Sequence, residues 1–158
     1  MRVLNYLQES CIIFPLEGSS KIEVIRRLAV KAASCTESLS EEEVFQVILD
    51  REELGTTAIG GGVAIPHARV AGIENLRVIA AVSKKGVPFD AADGELVYVI
   101  FLLLAPEEYT IDYLRVLAKI SRLLKDKEMI AQLIEAKSIG EIFGIVEVAE
   151  NRSYGVLA

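Results

Sequence analysis

The chain has one histidine, His67. It follows Val63-Ala64-Ile65-Pro66, an apolar run that proline must end, because proline donates no ladder hydrogen bond and pushes its predecessor into extended geometry. The imidazole is therefore expected just past a strand, where the chain turns at the rim of a sheet and α/β proteins place their chemistry. Arg51 stands sixteen positions upstream, and Gly55, Gly60, Gly61 and Gly62 lie between the two. A neutral imidazole nitrogen can attack phosphorus, and a nearby guanidinium matches the geometry of phosphoryl oxygens and stabilises their charge. That pairing suits phosphoryl transfer without a metal held by the protein. Each part also has an ordinary explanation: a role-free core or surface histidine, a cation favoured by the dipole at a helix C-terminus, and a tight turn made of glycines.

Other chemistries lack parts. Gly55 and Gly60 have Walker A spacing, but Gly61 and Gly62 follow where Lys and Ser/Thr are required, and the dinucleotide pattern would need glycine in place of Ile65. Ser83 and Asp93 could belong to a hydrolase with His67 as general base, yet no G-x-S-x-G nucleophile elbow is present. A lone histidine excludes centres built on several imidazoles from one chain, and no cofactor or metal is expected.

The elements that must position these residues are marked by their ends. Ser20 with Glu23 forms a capping box before the stripe Ile22, Ile25, Leu28, Ala29 and Ala32, and Ser40 opens a second helix that carries Arg51 in its last turn before Gly55. Gly55 to Gly62 reads as a loop too rich in glycine for a regular element. Val78 to Val82 and Leu96 to Leu104 are strands, the second buried on both faces. A helix starting near Thr110 is expected to turn Leu114, Leu117, Ala118, Ser121 and Leu124 inward. A shorter helix follows from Asp126 with Ile130, Leu133 and Ile134 inward, and Ser138 with Glu141 caps a last one. Residues 1–150 form one domain, with 151–158 a frayed C-terminal tail. Helices before, between and after strands indicate an α/β sandwich.

Composition narrows the surroundings. Of 158 residues, 52% are hydrophobic, and 17 basic against 23 acidic side chains leave a net charge of −6, which speaks against nucleic acid as a partner. The longest apolar run, Leu96 to Ala105, has ten residues, against about 20 for a membrane helix. The first residues carry no signal-peptide pattern. A cytoplasmic protein without membrane insertion is expected, with Cys11 and Cys35 as reduced, buried thiols rather than a disulfide.

The run Arg51-Glu52-Glu53-Leu54-Gly55-Thr56-Thr57-Ala58-Ile59-Gly60-Gly61-Gly62-Val63-Ala64-Ile65-Pro66-His67-Ala68-Arg69 strongly resembles the active-site segment of phosphotransferase-system IIA domains of the fructose/mannitol class, closest to the free-standing nitrogen-regulatory IIA proteins. Leu102-Leu103-Leu104-Ala105-Pro106 followed by a helix extends the likeness, which spans roughly Leu4 to Val146. The resemblance implies a single-domain three-layer sandwich, a mixed β-sheet flanked by helices. It also implies that His67 accepts a phosphoryl group from an HPr-type phosphohistidine carrier and that Arg51 lies beside it. Sugar-type members pass the group to a IIB domain, usually onto a cysteine. Two positions depart from the pattern: Tyr113 occupies the place of the family's second histidine, and Gly61 stands where nitrogen-type members often have Asn. The expected role is regulatory, read by partner proteins, with a sugar-transport IIA component and a phosphorylation-independent binding module as alternatives.

Overall fold

Two serines start the first layer. Ser20 accepts the Glu23 N–H at the head of α1 (Lys21–Cys35), and Ser40 accepts the Glu43 N–H at the head of α2 (Glu41–Glu53), as the capping boxes predict. Val24, Ile25, Leu28, Ala29 and Ala32 of α1 and Val44 and Ile48 of α2 face the same core. The computed structural model describes residues 2–108 and 111–157.

The strands are β1 (Leu7–Ile13), β2 (Ala58–Gly60), β3 (Val63–Ala64), β4 (His67–Arg69), β5 (Arg77–Val87) and β6 (Val97–Ala105). They form one mixed sheet of order β1-β5-β6-β3-β2, with β4 also pairing β6. β5 runs antiparallel to β6, whereas β3 and β4 run parallel to it in succession, so His67 lies opposite Leu103. Along β6, Phe101 and Leu103 face one core and Ile100, Leu102 and Leu104 the other, all without solvent exposure. A strand covered on both faces has no polar side to show, which accounts for the unbroken apolar run.

The second helical layer contains α3 (Ile111–Leu123), α4 (Lys127–Glu135) and α5 (Ile139–Leu157). Asp126 caps α4, and Ser138 accepts the Glu141 N–H at the start of α5. Helices on both faces of a mixed sheet make the three-layer α/β sandwich expected.

Several local expectations are corrected. β1 was not expected: it buries Leu7, Cys11 and Ile12 but exposes Gln8, Glu9 and Ser10, and its pairing with β5 shifts register between Leu7 and Ile12. That break hides the period of two. The glycine-rich stretch is not all loop, because β2 pairs antiparallel with β3 around the Gly61-Gly62 turn. The residues α3 buries are Tyr113, Val116, Ile120 and Leu123, while Leu114 is 57% exposed. The expected stripe lies beside the true one, and only Leu124 of it is fully inside. The expected start near Thr110 lies outside the described residues.

Cys11 and Cys35 form a disulfide, contrary to the expectation of free thiols, with Cα atoms 5.5 Å apart. Their distance along the chain is misleading, since α1 packs back along β1 and ends beside it. The C-terminal stretch is helical to Leu157 rather than frayed. Buried Glu150 accepts the N–H groups of Val3 (2.7 Å) and Leu4 (3.1 Å), and Arg152 bridges to Asp126 and Glu128, both at 3.1 Å.

Candidate functional site

His67 does follow a strand, β3, but instead of lying in a turn it opens the next strand, β4. β4 is placed by Pro66, whose carbonyl accepts the Leu103 N–H at 2.9 Å, and by the pairing of His67 with Leu103. The imidazole Nδ1 lies 2.6 Å from the Ile65 carbonyl oxygen. A carbonyl can only accept, so Nδ1 carries the proton and Nε2 of the neutral ring keeps its lone pair. Burial holds the half-buried His67 below the usual imidazole pKa; the Ile65 bond opposes that, the Arg51 charge adds to it, and the Glu52 charge opposes it. The neutral, nucleophilic form therefore dominates at neutral pH.

Arg51 occupies the last turn of α2, which packs against β4. Its Nη1 donates to the Gly55 carbonyl at 3.0 Å, and its charge bears on both His67 and Tyr113. The next residue, Glu52, turns inward and is 6% exposed. It accepts the Thr57 N–H at 3.0 Å and the Thr57 hydroxyl at 2.5 Å, and pairs with Lys21 Nζ at 2.9 Å. The Thr57 carbonyl in turn accepts the Ile65 N–H at 3.0 Å. A continuous relay thus runs from Lys21 through Glu52, Thr57 and Ile65 to His67 Nδ1.

Tyr113 reaches the same place from the other helical layer. Its ring centroid is 6.3 Å from that of His67, with the planes inclined by 54°. Burial raises the phenol above its ordinary pKa, while the charges of Arg69 and Arg51 pull it partly back. It stays an uncharged O–H through the physiological range. Arg69 shares the His67 face of β4, two residues on. Its guanidinium carbon lies 5.6 Å from the Tyr113 ring centroid, and its Nη1 donates to the Glu107 carbonyl at 3.3 Å.

The structure gathers His67, Arg51 and Tyr113 around one point, and adds Glu52 and Arg69, which sequence reasoning did not single out. The two-residue step from His67 to Arg69 on one strand was an available signal. Glu52 offered only the proximity of two threonines. Gly61 has φ +68 with nothing within 4 Å of a Cβ built on it, and its N–H donates to Asp93 Oδ2 at 3.2 Å. That left-handed conformation suits Gly or Asn. Among the described residues no group of acidic, cysteine and histidine side chains could hold a metal ion. The arrangement can deliver the Nε2 lone pair to an electrophile beside a guanidinium.

Known proteins resemble the chain over nearly all its length. The family model described as phosphoenolpyruvate-dependent sugar phosphotransferase system, EIIA 2, matches residues 5–148. The nitrogen regulatory protein of Bradyrhizobium diazoefficiens is 37% identical over 146 residues, covering 92% of this chain and 95% of the relative. The fructose-specific EIIABC component of Bacillus subtilis is 30% identical over 146 residues, 92% of this chain but 23% of that protein. A crystal structure of the nitrogen regulatory protein IIA-Ntr from Neisseria meningitidis superposes with a TM-score of 0.82 at 34% identity, covering 90% of this chain and 97% of that one. With the sandwich and the environment of His67 already in place, these matches show that the chain belongs to the EIIA type 2 family of the phosphoenolpyruvate-dependent sugar phosphotransferase system.

Proposed function

We propose that this protein is a phosphocarrier in which His67 Nε2 accepts a phosphoryl group from the phosphohistidine of an HPr-type carrier, and that its phosphorylation state is read by regulated partner proteins. The observation that carries the reading is the hydrogen bond from Nδ1 to the Ile65 carbonyl, which leaves Nε2 as the one nucleophilic ring nitrogen. The Nε2 lone pair attacks phosphorus, the donor's P–N bond breaks, and its electron pair leaves with the donor imidazole. The acceptor ring gains positive charge as the new P–N bond forms. The Ile65 carbonyl stabilises that charge through Nδ1–H, and Arg51 faces the charge on the phosphoryl oxygens.

Support for a macromolecular donor comes from exposed apolar side chains close in sequence to Arg51 and Tyr113: Leu54, at the end of α2, and Ile111 and Leu114, on α3, are 85%, 64% and 57% exposed. Relatives named nitrogen regulatory protein favour the regulatory role. The likeness to a fructose-specific component favours a second reading, in which the group passes to the cysteine of a separate IIB protein.

The test is incubation with enzyme I, the HPr-type carrier and phosphoenolpyruvate. The expected result is the mass gain of one phosphoryl group, acid-labile and absent from His67→Ala. An unmodified mass, or equal labelling of His67→Ala, overturns the reading. Onward transfer of the label to a IIB cysteine selects the sugar-transport role. Identical partner capture by wild type, His67→Ala and His67→Asp selects a phosphorylation-independent module.

A further inference from the structure

Tyr113 and Arg69 form a unit that the transfer chemistry above leaves unused. The phenol is buried, its ring is tilted against the imidazole, and its hydroxyl takes no hydrogen bond from any described residue. Arg69 reaches across from β4 in two ways: its guanidinium lies over the Tyr113 ring, and its Nη1 holds the Glu107 carbonyl in the segment that leads into α3. One side chain therefore links the strand of the nucleophile to the helix of the phenol. A cation over an aromatic face is attracted to the ring, fixing its orientation. The same positive field draws charge from the phenol oxygen and makes its O–H a stronger donor.

We propose that Arg69 is a positioning residue for phosphoryl transfer: lying over Tyr113, it holds the phenol against His67 and polarises its O–H as a hydrogen-bond donor to the phosphoryl group on Nε2. The proposal rests on His67 being the acceptor. It gives the site two cations with different duties. Arg51 faces the phosphoryl oxygens directly, while Arg69 acts through a neutral ring and remains on the surface.

The two positions can be separated by coupling. Transfer from the phosphorylated carrier is measured at low, fixed ionic strength for wild type, Arg69→Gln, Arg69→Lys, Tyr113→Leu and the Arg69→Gln/Tyr113→Leu double variant, with thermal unfolding as a check on the fold. Arg69→Gln is expected to slow transfer roughly three- to tenfold, the range of an exposed to partly buried cation–π contact. Arg69→Lys keeps the cation and is expected to stay within about twofold of wild type, and in the Tyr113→Leu background Arg69→Gln is expected to change the rate by less than about twofold. Equal rates for Arg69→Gln and wild type overturn the proposal, as does an equal loss in the Tyr113→Leu background, which would mean that Arg69 only attracts the donor. Arg69→Lys as slow as Arg69→Gln also overturns it. Failure of the wild type to accept label overturns the acceptor reading as well, so the two failures are distinguishable.

Discussion

A neutral imidazole with one nitrogen committed to a carbonyl is a directional nucleophile, and its availability depends on pH in a definable way. Because burial lowers the His67 pKa below the ordinary imidazole value of 6.5, the folded protein binds fewer protons at this residue than the unfolded chain between the two values. Stability therefore rises with pH through that window, the penalty being fully present below the folded pKa and gone above the unfolded one. His67→Gln should flatten this part of a urea-midpoint profile against pH, and a profile unchanged by the substitution would contradict the assignment. Transfer rates should rise over the same range and level off by neutrality, because Tyr113, raised above its ordinary value, does not titrate there. Tyr113→His should add a second inflection near pH 6 to 7, visible in the rate profile of the variant alone. His67 and Arg51 stand out from their own stretches, the apolar run closed by Pro66 and the last turn of a capped helix, whereas Tyr113 stands out only through the family resemblance. Arg69 is signalled only by its two-residue step from His67 and Glu52 only by nearby threonines, since their partners Tyr113, Glu107 and Lys21 come from distant segments.

At the scale of elements, α1, α2, α4 and α5 announced themselves through serine and aspartate caps, whereas β1 and β2 did not. β1 breaks register, and β2 consists of three residues held by a glycine turn against the two residues of β3. The face of α3 was misread because Tyr113, Val116, Ile120 and Leu123 follow the same helical spacing as the stripe beside them, and only docking on β6 chooses between the two. The joint between α2 and β2 depends on Glu52. Glu52→Gln keeps the shape but leaves Lys21, 15% exposed at its side chain, without its counter-charge. The expected loss is about 2 to 3 kcal/mol, measured by urea unfolding, together with slower phosphorylation as the Thr57 and Ile65 bonds loosen. A variant as stable as wild type would show the relay to be dispensable.

For the whole molecule, β6 is the shared wall of two cores. Phe101 has no exposed surface, and Phe101→Ala should cost about 3 to 5 kcal/mol. That is a large share of the 5 to 15 kcal/mol typical of a domain, so a marked drop in the thermal midpoint should accompany it; a shift of a degree or less would mean that the core collapses around the cavity. The sandwich and its central strand were readable in advance, because a run of ten apolar residues between turns has few places to go. The C-terminal helix was not, since its last turns depend on Glu150 meeting the backbone of Val3 and Leu4.

The proton that leaves Nε2 of His67 with its lone pair is held by a main-chain carbonyl, and every amino acid has one. Ile65→Val or Ile65→Leu changes packing volume and leaves the acceptor in place, as does any exchange at Thr57 with respect to its own carbonyl. The tautomer of His67 is thus inherited with the path of the chain rather than with particular side chains. Its vulnerable point is the anchoring carboxylate of Glu52, so a mutational scan should find position 65 tolerant in chemistry and position 52 intolerant.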